Sequence, residues 1–140
     1  MSASTVVAPF VPAQFSTFLA FDFGVKRTGV AVGNRMMRTA QAVGSIQAQG
    51  DAKFAHIAKR IAEWQPDALV VGVPFHPDGV SHENTDRARK FARQLHGRYG
   101  LKVFEVDERY STTEALASGA KDADAASACI ILEQFFRSWA

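Results

Sequence analysis

Cysteine is almost absent: Cys129 is the single thiol in 140 residues. One thiol cannot close an internal disulfide. Its place inside an apolar run is that of a small buried hydrophobe, which suits a reducing cytosol. Long apolar runs are missing too. None approaches the roughly 18–20 residues of a membrane-spanning helix. Residues Met1 to Thr17 lack a basic start and carry Pro9 and Pro12, which argues against a secretory signal. Nor is there a large excess of one charge sign. The net charge of +2 permits nucleic-acid binding without dictating it. Internal repeats, linkers and low-complexity segments are lacking.

What is present is 47% hydrophobic and 21% charged, ordinary for one globular domain with a core that needs no disulfide or structural metal. The expected organisation is an extended tail over 1–17, docked by Phe10, Val11 and Phe15, and one domain over 18–140 in the cytoplasm.

The chain is organised around Phe18-Leu-Ala-Phe-Asp22-Phe-Gly24-Val-Lys26-Arg27-Thr-Gly29-Val-Ala-Val32. An apolar strand ends on a carboxylate, a glycine turn follows with two cations, and a second strand returns. An unpartnered carboxylate at the end of a buried strand costs several kcal/mol or more. Asp22 therefore needs a partner, and a metal ion is the working expectation.

The pattern predicts strands at Phe18–Asp22, Thr28–Gly33 and Thr39–Gln47, forming an antiparallel meander. Asp51 is the expected N-cap of a helix whose stripe is Phe54, Ile57, Ala58 and Ile61, and Pro66 ends it. Ala68–Val73 is a buried strand, reached by a crossover and so parallel to the first. Pro74–Gly79 is a loop. A second helix starts near Ser81, with the stripe Ala88, Phe91, Ala92, Leu95 and Tyr99 and basic residues on its other faces. Lys102–Val106 is a second parallel strand. Thr112–Ala117 has room for a short helix, and the last helix starts near Asp122. The expected fold is α/β: a five-stranded mixed sheet, three strands antiparallel and two parallel, with helices packed against it. That order is the ribonuclease H-like layout.

Parallel strands end at one edge of a sheet, where α/β proteins place their ligands. Asp22 and one of Asp107 or Glu108 meet there on topology. Neighbouring strand residues point to opposite faces, so only one of that pair aims at the site, and parity alone leaves the choice open. Asp124, Ala128, Ile131 and Phe135 share one face of the last helix, which puts a third carboxylate on its buried stripe. Oxygen donors of this kind suit Mg²⁺ or Mn²⁺ and phosphodiester hydrolysis. Lys26 and Arg27 in the turn, Arg89 and Arg93 on the basic helix, and Arg109 are the expected phosphate contacts. His76 and His82 are poorly spaced for zinc. Phe75 and Tyr110 are candidates for base stacking.

Four ordered motifs carry a family resemblance: Phe21–Val32, Val70-Val-Gly-Val-Pro-Phe75 with Asp78-Gly79, Asp107-Glu-Arg-Tyr-Ser-Thr-Thr-Glu-Ala115, and Asp124–Leu132. Together they resemble the YqgF (RuvX) family. The resemblance implies a ribonuclease H-like fold related to RuvC and a metal-dependent endonuclease. Its implied substrate is structured RNA, the 5′ end of precursor 16S rRNA, or alternatively branched DNA at a Holliday junction, as a monomer or homodimer. Carried over by position, the acidic site is Asp22, Glu108 and Asp124, which favours Glu108 over Asp107. One departure stands out. Between Ala115 and Asp124 the chain has only residues 116–123, where family members usually carry a longer basic segment. Two rivals differ in class. A kinase-like nucleotide binder shares the Asp-x-Gly-x-Lys opening but needs two lobes. A non-catalytic RNA-binding module would bind without cutting.

Overall fold

The computed structural model describes residues 11–74, 83–107 and 123–138. The strands are β1 (Thr17–Asp22), β2 (Thr28–Asn34), β3 (Ala40–Ile46), β4 (Ala68–Val73) and β5 (Lys102–Asp107). The helices are α1 (Ala52–Trp64), α2 (Glu83–Tyr99) and α3 (Ala123–Arg137). The sheet order is β3-β2-β1-β4-β5. β1–β2 and β2–β3 are antiparallel, while β1–β4 and β4–β5 are parallel. This is the ribonuclease H-like layout the sequence predicts. β1 is central, as its two apolar faces require.

Strand alternation divides the core in two. On one face Leu19, Phe21, Val30, Val32, Leu69 and Val71 pack with Phe54 and Ile57 of α1 and with Phe91 and Leu95 of α2. On the other, Phe18, Ala20, Ala68, Val70 and Phe104 pack with Ile131, Leu132, Phe135 and Phe136 of α3. Phe18 meets Phe135 and Phe136 edge-on, with ring centroids 5.5 and 5.8 Å apart. Each fully buried Phe contributes roughly 1.5–3 kcal/mol by transfer.

β2 presents Gly29, Ala31 and Gly33 to α3, so the helix lies close on the strand. A Cβ at Gly29 would stand 1.9 Å from the Asp124 carbonyl oxygen, a contact no side chain tolerates. β2 thus seats the first turn of α3.

Val11 and Phe15 pack against the α3-side core. Arg35 gathers the carbonyls of Phe15, Val11 and Pro12 at 2.8, 3.3 and 2.7 Å. Asp67 accepts the amides of Ser16 and Thr17. Residues 11–16 therefore run against the sheet through both packing and hydrogen bonds.

Two details of α1 differ from expectation. Asp51 holds the N-cap position but has helical backbone angles and caps no amide with its side chain. Its carboxylate instead accepts from Arg98 at 3.3 Å, so tertiary pairing displaces the local cap. Ala58 is exposed, while Lys53 is buried, with its ammonium 5.1 Å from the Phe23 ring centroid and 5.5 Å from that of Phe54. The methylene stem and cation–π contacts let a lysine close the core on one flank of the stripe, while Ala58 on the other flank stays exposed. Burial, only partly offset by Asp51, holds the Lys53 pKa below its ordinary value. α1 ends as Pro66 predicts. Gln65 turns left-handed at φ 47° and its amide returns to the Ile61 carbonyl at 2.8 Å. Among the described residues no helix is long and apolar enough to cross a membrane.

Candidate metal centre

Directly paired residues of an antiparallel ladder share a face. Phe18 pairs with Gly33, Ala20 with Ala31, and Asp22 with Gly29. Phe18 and Ala20 lie in the α3-side core, so Asp22 is on the α3 side as well. Gly29, its ladder partner, touches the backbone of Asp124. Two acidic residues distant in sequence thus lie on one side of the sheet, at the edge where parallel strands β1, β4 and β5 end. Asp22 is half-buried and the Asp124 side chain is 30% exposed, so water reaches the place without filling it.

The same parity settles the position of Asp107. It pairs with Val73, which belongs to the α1/α2-side core, and so faces away from Asp22 and Asp124. The alternation leaves Asp107 out of the α3-side site. Glu108, the next residue, has the sequence parity of Phe104 and Val106. It lies outside the described residues, as do Arg109, Phe75, His76, His82, Tyr110, Phe10 and the segment Thr112–Ala117.

Gly24 makes the turn after β1. A Cβ there would stand 2.4 Å from the Arg27 carbonyl oxygen. The tight turn presents Lys26 to solvent and brings Arg27 to α3, where its Nε is 3.2 Å from Asp124 Oδ2. Arg27 is thus engaged by the Asp124 carboxylate.

The two helix arginines sit elsewhere. Arg89 pairs with Glu105 at 3.5 Å. Arg93 lines a groove of about 440 Å³ with His96, Lys102 and Glu105, beside the outer strand β5. Both lie on the α2 side of the sheet, so they do not converge with Asp22 and Asp124. Basic charge on a helix is visible in sequence, but the face it serves is set by packing. Thr85, fully buried, donates its hydroxyl to the Pro74 carbonyl and ties the start of α2 to the end of β4. That positioning contact had no signal beyond a threonine in a first helical turn.

The donors fit a hard divalent cation. Carboxylate oxygens suit Mg²⁺ or Mn²⁺. The described residues hold no group of three or more His, Cys, Asp or Glu placed to hold a metal ion, and Asp22 and Asp124 are the candidate carboxylates among them.

Known proteins place the chain. The family model described as RuvX, Holliday junction resolvase, matches residues 16–138. A protein of Albidiferax ferrireducens described as "Putative pre-16S rRNA nuclease" is 72% identical over 128 residues, which cover 91% of this chain and 82% of that protein. One of Polaromonas with the same description is 70% identical over 135 residues, covering 96% and 98%. Among solved structures, Thermus thermophilus RuvC in complex with Holliday junction substrate superposes with a TM-score of 0.56 at 17% identity, covering 87% of this chain and 94% of that one, a likeness of fold. With a family match over residues 16–138 and relatives at 70–72% identity over 91–96% of its length, the chain belongs to the RuvX family.

Proposed function

We propose that this protein is an endonuclease that hydrolyses phosphodiester bonds near the 5′ end of precursor 16S rRNA, in the cytoplasm, with a divalent cation held by Asp22, Glu108 and Asp124. The observation that carries the reading is the pairing of Asp22 with Gly29 and the seating of Asp124 on that same glycine. Such an arrangement puts two acidic residues on one side of the sheet, at the edge where α/β proteins hold their ligands, which supports the reading. Glu108 enters through the family motif and through its sequence parity, shared with Phe104 and Val106.

Mg²⁺ or Mn²⁺, when bound, supplies Lewis-acid chemistry for attack of water on a phosphodiester. The chain's own residues do the rest. Asp22, on a central strand, gives a fixed oxygen donor. Asp124, on the first turn of a helix seated by β2, gives a second. Lys26 in the turn offers a cation to a phosphate flanking the scissile one. Arg89 and Arg93, on the α2 side of the sheet beside β5, contact backbone away from the cut, which adds affinity but no chemistry.

Cleavage of a precursor 16S 5′ transcript in Mn²⁺, wild type against Asp22→Asn and Asp124→Asn, tests this. Each variant should fold normally and lose at least about a hundredfold in rate. Cleavage at the wild-type rate by either one overturns the reading. The family description favours one second reading, resolution of branched DNA. It requires two sites related by symmetry, and so a dimer in solution. Offering a four-way junction beside the transcript, with the protein sized in parallel, separates the two.

A further inference from the structure

Arg27 occupies a candidate metal ligand. Its guanidinium Nε stands 3.2 Å from Asp124 Oδ2. Both ends of this pair are fixed by close backbone approaches, Gly24 on the Arg27 carbonyl and Gly29 on the Asp124 carbonyl. The pair is nonetheless open to solvent, with Arg27 61% and Asp124 30% exposed. A polyanion can therefore reach the guanidinium without opening the fold. Arginine's planar fork matches phosphate oxygens better than a single exposed carboxylate contact does. A divalent cation and a guanidinium on the same carboxylate also repel each other.

We propose that Arg27 is an exchangeable counter-ion for Asp124. In the chain without nucleic acid it holds the carboxylate in place and weakens the site for cations. A substrate phosphate draws it away, and the Asp22–Asp124 face then binds a divalent cation more tightly. The coupling is reciprocal, so the cation also raises affinity for nucleic acid. Arg27 acts here as a positioning residue that links the two binding events. This inference rests on the reading of Asp22 and Asp124 as metal ligands.

The test is Mn²⁺ titration by calorimetry of the full chain, with and without an RNA duplex shown on gels to stay uncut. Wild type should bind Mn²⁺ more tightly when RNA is present. Arg27→Gln should bind about two- to fivefold more tightly than wild type without RNA, the range of exposed ion pairs, and show no further gain with RNA. Arg27→Lys, which keeps the charge but loses the fork, should bind Mn²⁺ like wild type and show a reduced gain. Equal or weaker Mn²⁺ binding by Arg27→Gln overturns the proposal, and so does an unchanged RNA effect in that variant. Asp22→Asn and Asp124→Asn separate this failure from that of the metal reading. If both bind Mn²⁺ as wild type does, the metal reading itself falls and takes the exchange with it. If both lose Mn²⁺ while Arg27→Gln gains nothing, only the exchange is wrong.

Discussion

Single residues show both what a sequence reveals and where it stops. Asp22 is conspicuous because apolar strand patterning alone gives no reason for a carboxylate at the strand's end. Lys53 gives no such signal: periodicity puts it beside the stripe, and the rings of Phe23 and Phe54, together with Asp51, make its burial tolerable. Cys129 is half-buried, less enclosed than its apolar neighbours suggest. Burial, with Glu133 beside it, pushes its thiol up from 9.0 to about 11. The folded thiol keeps its proton past the pH at which the unfolded chain releases it. Its contribution to stability is therefore complete below about pH 9 and disappears as pH rises through about 11. Urea unfolding between pH 8 and 11 should show a decline in wild type that is shallower in Cys129→Ala. Parallel curves for the two proteins would show that the thiol has no part in it.

At the level of elements, strand pairing and helix packing fix the site. All five strands and three long helices are legible from apolar patterning and breakers, because period 2 and period 3.6 differ clearly in this chain. Which face each helix covers is not legible. Patterning shows that α2 has a basic side, but its arginines lie across the sheet from Asp22 because α2, with Phe91 and Leu95, covers the other core. The choice between Asp107 and Glu108 was hidden for a related reason. Alternation says only that they differ, and the register to Val73 is needed to say which way Asp107 faces. Gly29 shows how tightly the elements are coupled. Gly29→Ala puts a methyl group into the Asp124 backbone, so α3 must shift or the strand must bend. The expected cost is roughly 1–3 kcal/mol in urea unfolding, with weaker Mn²⁺ binding because Asp124 moves too. A variant as stable as wild type, with unchanged Mn²⁺ affinity, would mean that α3 is held elsewhere.

For the molecule as a whole, fold and family follow from the order of elements and four motifs, and both agree with the sheet topology and the family match. The acidic site is legible only in part. Among the described residues Asp22 and Asp124 lie on one side of the sheet, and Glu108 rests on the motif. Because β2 seats α3, the place of Asp124 belongs to the strand rather than to the connection that leads into the helix. Loop closure costs only about 0.6 kcal/mol per doubling of length, so that connection is free to vary. Eight Gly/Ser residues inserted between Ser118 and Gly119 should leave Mn²⁺ affinity within about twofold of wild type. A tenfold loss would show that the connection does hold the helix. If Asp22 and Asp124 hold the cation as proposed, their positions answer to the sheet and α3, and the chain leading into α3 can change length over evolution without moving them.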